Sequence, residues 1–126
     1  MLHYNSSEFV EEAIASIKNQ EYNDWCLYVY DDGSDNYHLD RLCKALNGIE
    51  GKYVLIKGKH VYQYEGRLKL FEIIDGDIVI NIDSDDKFTD NKFFSNLNKI
   101  FNLENPDMVF FNMTKDLRDI TGNVTY

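Results

Sequence analysis

Segments with the periodicity of an amphipathic helix alternate with short apolar runs, and this alternation limits the folds open to the chain. Val10, Ala13, Ile14 and Ile17, for example, fall on one helical face. Strand and helix in alternation predict an α/β class with a mostly parallel sheet and helices packed on its faces. The predicted helices cover about residues 8–19, 39–46, 67–74 and 90–101, and the predicted strands cover 25–30, 53–56, 77–82 and 108–113. Residues 57–65 have no clear period and are predicted to be a loop.

The chain has the length and apolar content of one domain. It has 126 residues, 44% of them hydrophobic, and a single proline. We therefore expect one domain over residues 1–126 with a filled core, and no internal linker. The polar tail from residue 115 to 126 is expected to be poorly ordered.

The charge balance argues against a non-specific nucleic-acid binder. Thirteen Lys and Arg face 22 Asp and Glu, for a net charge of −9, and the cationic residues form no run. Binding to nucleic acid needs a basic face, whereas a phosphate ligand that arrives with its own divalent cation stays compatible with this charge. No signal peptide or membrane-length apolar stretch is evident, so a cytoplasmic location is expected.

Cysteine and histidine spacing does not suggest a zinc site or a disulfide framework. Cys26 and Cys43 lie in apolar segments outside any CxxC pair, and we expect both to be reduced and buried. The three histidines have no HxxxH or HExxH spacing.

Two acidic clusters follow predicted strands. Asp31 and Asp32 come after the first, and Asp83, Asp85 and Asp86 come after the third. The carboxyl ends of parallel strands meet at one edge of the sheet, where ligands bind, so the clusters are expected to share a crevice. Neighbouring carboxylates repel one another unless a cation lies among them, and Mg²⁺ or Mn²⁺ with oxygen ligands fits such a turn. A solvated acidic turn is the alternative for each cluster taken alone, and the residues after Asp86 do not complete an EF-hand.

One ordered set of residues runs through most of the chain. It consists of Tyr4-Asn5, Ala13-Ile14-x-Ser16-Ile17, Gln20, Tyr22, Asp31-Asp32-Gly33-Ser34-Asp35 and Asp83-x-Asp85-Asp86. In order and spacing, over roughly residues 4 to 101, this set resembles the amino-terminal half of family 2 glycosyltransferases. The resemblance implies a three-layer α/β/α, Rossmann-like GT-A fold that binds a nucleotide sugar.

The resemblance also implies roles for individual residues. Tyr4 would lie beside the nucleotide base, Asp32 would hold the base with Asp31 adjacent, and Arg67 would help to bind the diphosphate. Asp83 would reach the ribose and join Asp85 and Asp86 in binding Mn²⁺ or Mg²⁺. Tyr62 and Tyr64, in the predicted loop, are further candidates for ligand contact.

The implied reaction transfers a sugar from a nucleotide diphosphate sugar, expected to be a UDP-sugar, to a hydroxyl of a glycan, lipid or protein acceptor. Two departures from the family pattern bear on this. Only Met1-Leu2-His3 precede Tyr4, so the first strand is expected to be missing, and the unpaired strand edges would favour a homo-oligomer. The acceptor-binding part is also expected to be missing, and no residue is assigned as the catalytic base.

Two other functions compete with transfer. A catalytically inactive nucleotide-sugar-binding fragment would share the binding residues without turnover. A receiver-like signalling domain would use Asp31, Asp32, Asp83, Thr114 and Lys115, but its Thr and Lys should follow different strands, and here they are adjacent.

Overall fold

Three parallel strands and four α-helices form the fold of residues 1–111, the part of the chain that this computed structural model describes. The sheet has the order β1-β2-β3, and a 3-10 turn covers Asn47–Ile49. The α/β class with a parallel sheet is confirmed. The strands are β1 (Leu2–His3), β2 (Leu27–Asp31) and β3 (Tyr53–Lys57), and the helices are α1 (Val10–Lys18), α2 (Asn36–Leu46), α3 (Tyr62–Phe71) and α4 (Phe93–Glu104).

Strand β2 has helices on both of its faces because successive side chains point to opposite sides. Leu27 and Val29 belong to the core that the sheet forms with α1 and α2. Tyr30 points the other way, where it lies against Gly66 of α3. The buried apolar residues of the main core are Met1, Val10, Ala13, Ile14, Ile17, Leu27, Val29, Leu42, Leu46 and Ile49.

Gln20 joins the end of α1 to the start of α4. Its side chain is buried, with Nε2 donating to the Asp90 carbonyl at 2.7 Å and Oε1 accepting from the Phe94 amide at 3.0 Å. The buried amide therefore has partners for both of its polar atoms. These bonds connect the end of α1 to the start of α4, some seventy residues later in the sequence.

The expectation that the first strand is missing needs correction. Leu2 and His3 form a two-residue strand that pairs in parallel with Tyr30 and Asp31 of β2. On its other side, Leu2 makes a parallel bridge to Asp83. The edge of β2 that was expected to be unpaired is therefore paired at Tyr30 and Asp31. The proposed homo-oligomer remains a prediction.

The predicted strand over residues 77–82 is wrong. These residues have no regular structure apart from the bridge at the following residue, Asp83. A strand needs a neighbour with which to pair, and β1 offers one only at Leu2. The predicted strand over residues 108–113 is also not formed at residues 108–111, and its last two residues lie outside the described part, as does the tail from 115 to 126.

Two further predictions change in detail. Helix α3 begins at Tyr62, within the segment predicted as loop, and ends at Phe71. Helix α4 is displaced towards the carboxyl end, to Phe93–Glu104.

The prediction that both cysteines are buried is wrong. Cys26 is exposed and Cys43 is partly exposed, and both are free thiols. Among residues 1–111, no helix is long and apolar enough to cross a membrane.

Candidate functional site

A cleft of about 630 Å³ lies beyond the carboxyl ends of β1 and β2. This is the edge of a parallel sheet where ligands commonly bind. Aromatic side chains and the acidic turn after residue 82 both contribute to its lining. The lining residues are Leu2, His3, Tyr4, Ser6, Asp32, His60, Tyr62, Gln63, Tyr64, Asp83, Ser84 and Asp85.

Tyr4 lines the cleft and comes directly after β1. Its ring is about half exposed and stacks on His60, with ring centroids 4.4 Å apart and an interplanar angle of 27°. The next residue, Asn5, ties this segment to the loop after β2, since its amide donates to Ser34 Oγ and its Oδ1 accepts from the Asp35 amide, both at 3.0 Å. Tyr4 is therefore held in the cleft, and its place beside a nucleotide base stays a prediction.

Asp32 reaches the cleft, but its carboxylate is used by the protein itself. Oδ1 accepts from the Val61 amide at 2.6 Å, and Oδ2 accepts from the Tyr62 amide at 3.1 Å. The same Oδ2 lies 2.8 Å from His60 Nδ1. A carboxylate at this place accepts from amides that have no partner within the helix. Its negative charge also interacts favourably with the positive end of the α3 helix dipole.

Asp31 does not line the cleft. It is 2% exposed and lies in β2 next to His3 of β1. Its Oδ2 accepts from the Ser34 amide at 3.3 Å, while Oδ1 has no partner among residues 1–111. The ring nitrogens of His3 are likewise without partners in the described part. Burial lowers the pKa of His3, and the nearby Asp31 charge opposes that shift.

Arg67 and Asp83 come together across sixteen residues of sequence. Arg67 Nη2, on α3, donates to both carboxylate oxygens of Asp83, at 2.9 and 3.2 Å. Both side chains are partly exposed. The guanidinium therefore lies at the acidic turn, the neighbourhood expected for a group that contacts a diphosphate.

Residues 83–86 form a tight turn in which the Asp86 amide donates to the Asp83 carbonyl at 3.2 Å. Asp83 and Asp85 line the cleft, whereas Asp86 does not. Burial, followed by the charges of Asp85 and Asp83, raises the pKa of Asp86. Ser84, between Asp83 and Asp85, is buried.

The donor set of this turn fits a hard divalent cation that is shared with a ligand. Carboxylate oxygens are the ligands that Mg²⁺ and Mn²⁺ take from proteins, and such ions commonly keep positions for phosphate and water. Within residues 1–111, however, no group of three or more His, Cys, Asp or Glu side chains is arranged to hold a metal ion by itself. Asp85, which is exposed, and Asp86 would be the protein's contribution, since Asp83 is paired with Arg67.

His60 is the site residue that the sequence analysis missed. Its spacing relative to the other histidines carries no signal, and its neighbours in sequence were predicted as loop. Only the fold brings it between Tyr4 and Tyr62, where its ring centroid lies 4.4 Å from each of theirs. The prediction that Tyr62 and Tyr64 could contact a ligand agrees with their place in the cleft wall, where both are more than 70% exposed.

Comparison with known families decides the family of the chain. The sequence profile described as glycosyl transferase family 2 matches residues 1–124. The chain belongs to glycosyl transferase family 2. The resemblance described from the ordered residue set is thereby confirmed over nearly the whole length of this family 2 chain.

Two solved structures resemble this family 2 chain. They are the crystal structures of S. aureus TarS 1-349 and of S. aureus TarS, each 20% identical with a TM-score of 0.68. Each alignment covers 80% of this chain, but only 30% of the first structure's chain and 18% of the second's. At this identity the likeness shows the GT-A fold alone. No curated protein sequence matches the chain.

Proposed function

We propose that this family 2 domain binds a nucleotide diphosphate sugar in the cleft and forms the donor half of a glycosyltransferase. The observation that carries the proposal is the position of Tyr4, Asp83 and Asp85 around one cleft at the carboxyl ends of parallel strands. An aromatic ring suits a base, and carboxylates in the same cleft suit a cation that bridges to phosphate. The family supports a sugar donor in particular.

Within this proposal, Asp85, which lines the cleft, would hold Mn²⁺ or Mg²⁺ for the donor diphosphate, and Asp86 on the same turn would be a further ligand. When bound, the cation neutralises charge on the departing nucleoside diphosphate. Arg67 lies at the same turn and can contribute a second positive charge on α3, while it also keeps Asp83 oriented through their ion pair. The acceptor is proposed to be a hydroxyl of a glycan, lipid or protein, activated by a base outside these residues.

A thermal-shift experiment tests donor binding. Wild-type protein is heated with UDP, with MnCl₂, and with both. A ligand at 100 times its dissociation constant stabilises the folded state by about 2.7 kcal/mol, so the combination should raise Tm by several degrees more than either component alone. Release of UDP from a UDP-sugar, measured in the same buffer, distinguishes turnover from binding.

Two variants make the test specific to the acidic turn. Asp85→Asn should lose the metal-dependent part of the shift, because an amide is a weaker ligand for a hard cation than a carboxylate. Asp77→Asn removes an equal charge at an exposed position outside the cleft and should retain it. A wild type that no nucleotide stabilises in the presence of metal would contradict the proposed function.

A further inference from the structure

The hydrogen-bonding capacity of Asp32 is directed into the protein. Its carboxylate faces three N–H groups, those of Val61, Tyr62 and His60, at 2.6 to 3.1 Å. The side chain is only 9% exposed. A base that approached this carboxylate would have to compete with donors already in place, and an amide left without its acceptor would be costly. Asp32 is therefore poorly available to a ligand.

His60 is the accessible member of the pair. Its side chain is 40% exposed and lines the cleft together with Asp83 and Asp85. Nδ1 donates to the Asp32 carbonyl oxygen at 3.3 Å and lies 2.8 Å from the carboxylate Oδ2. Both atoms are acceptors, so the neutral ring carries its proton on Nδ1. Nε2 is then the acceptor nitrogen, and it takes part in none of the bonds to Asp32.

Two aromatic rings hold the imidazole in place. Tyr4 stacks on one side, and Tyr62 packs against it at an interplanar angle of 57°. Tyr62 has a φ of +65°, a conformation that bulky residues rarely adopt, and its amide is held by Asp32. Such backbone strain persists where the surroundings determine it strongly, and it is common at binding sites. The ring of His60 is thus preorganised in the cleft wall.

We infer that His60 reads the base of the donor nucleotide, with Nε2 accepting the imino N–H of uracil, thymine or guanine. Asp32 acts through His60 as a positioning residue, and Tyr4 and Tyr62 offer apolar faces for a planar base. Cytosine and adenine have an unprotonated ring nitrogen on the corresponding edge, so two acceptors would face each other. The inference rests on the proposed function and names the base-recognition group within it.

The experiment compares UDP with N3-methyl-UDP, which lacks the imino proton, and with CDP, at pH 8 in MnCl₂ by calorimetric titration. Wild-type protein should bind UDP about tenfold more tightly than either analogue, the equivalent of one hydrogen bond of about 1.4 kcal/mol. His60→Phe keeps a ring beside Tyr4 and removes both nitrogens, so it should bind the three nucleotides with similar affinity. Lys59→Gln, exposed on the same loop, should keep the wild-type preference.

Asp32→Asn tests the positioning role. Loss of the preference for UDP over N3-methyl-UDP supports it, whereas an equal loss of affinity for both nucleotides indicates a structural role alone and contradicts it. Equal binding of the three nucleotides by the wild type, or an unchanged preference in His60→Phe, overturns the inference and leaves the donor site standing. If no nucleotide binds with metal, the inference and the proposed function fail together.

Discussion

Asp32 combines two tasks in one carboxylate. It accepts from the first amides of α3, and it orients His60 in the cleft wall. Capping interactions of this kind are worth about 0.5–2 kcal/mol to a helix. Because stability and site geometry depend on the same two oxygen atoms, a substitution at Asp32 changes both, and the role of His60 is better separated by variants of His60 itself.

His3 predicts a pH dependence of stability. The ring is 1% exposed, and burial lowers its pKa. Above the unfolded-state value of about 6.5, the ring is neutral in both states, and its contribution to stability is fully present. As the pH falls below about 6.5, the unfolded chain takes up a proton that the folded ring resists. The free energy of unfolding should therefore fall, by up to about 1.4 kcal/mol at pH 5.5.

The measurement is urea unfolding at pH 7.5 and pH 5.5 for the wild type and for His3→Gln. The variant is uncharged over this range, so other groups change stability equally in both proteins and the difference in slope isolates His3. The wild type should lose more stability than the variant. Equal losses would mean that the folded protein accommodates the imidazolium beside Asp31.

At the scale of elements, the approach of the β3–α3 connection to β2 depends on a glycine. A Cβ placed on Gly58 would lie 2.0 Å from the hydroxyl of Tyr30, whose side chain is itself buried. The amide of Gly58 also donates to the Asp31 carbonyl at 2.8 Å, so the backbone has little freedom to retreat. The connection that leads to His60 and α3 is therefore packed directly on the sheet.

Gly58→Ala should lower the free energy of unfolding by about 1–3 kcal/mol, the usual cost of overpacking a filled site. Gly76→Ala is the matched control, because a Cβ there would meet only the Ile78 carbonyl at 3.7 Å. Its effect should stay within about 0.5 kcal/mol. Chemical denaturation of both variants provides the comparison, and equal midpoints would show that Tyr30 moves aside at little cost.

The elements differ in how far sequence could predict them, for physical reasons. Helix α1 was predictable because its buried residues repeat within one local stretch. The start of α3 depends on the carboxylate of Asp32, about thirty residues earlier, so no local pattern contains it. Residues 77–82 have the composition of a strand, but a strand forms only where a neighbouring strand is placed to pair with it. The segment's own sequence does not report that neighbour.

The candidate site shows the same division. Asp32, Asp83 and Asp85 were expected to share one sheet edge, and the fold brings them to one cleft, which Tyr4 also lines. Asp31 was expected beside them, but alternation along β2 turns it to the opposite face from Tyr30. The exposure of His60 and its bond to Asp32 depend on tertiary contacts, which neither composition nor spacing reports.

At the scale of the whole molecule, the net charge of −9 predicts a stabilising effect of salt. Like charges on a folded chain repel one another more strongly than in the expanded chain. The Debye length falls from about 30 Å at 0.01 M salt to about 8 Å at 0.15 M, which screens most of this repulsion. Tm should rise by roughly 2–4 °C between these NaCl concentrations, the equivalent of up to about 1 kcal/mol.

Scanning calorimetry without divalent cations checks this, and the increase should level off above 0.15 M. A Tm that falls with added NaCl would contradict the prediction. It would mean that screening weakens favourable pairs, such as Arg41 with Glu11, more than it relieves the repulsion.

The two side chains of the short strand β1 affect the register in which it pairs with β2. Leu2 points towards Gly66 of α3, while His3 is buried on the opposite face beside Asp31. A slip of β1 by one position would exchange these side chains, placing an imidazole against a glycine contact and a leucine among buried polar atoms. So short a strand has few hydrogen bonds to prevent slippage. The chemical difference between its two side chains therefore favours a single register of β1 against β2.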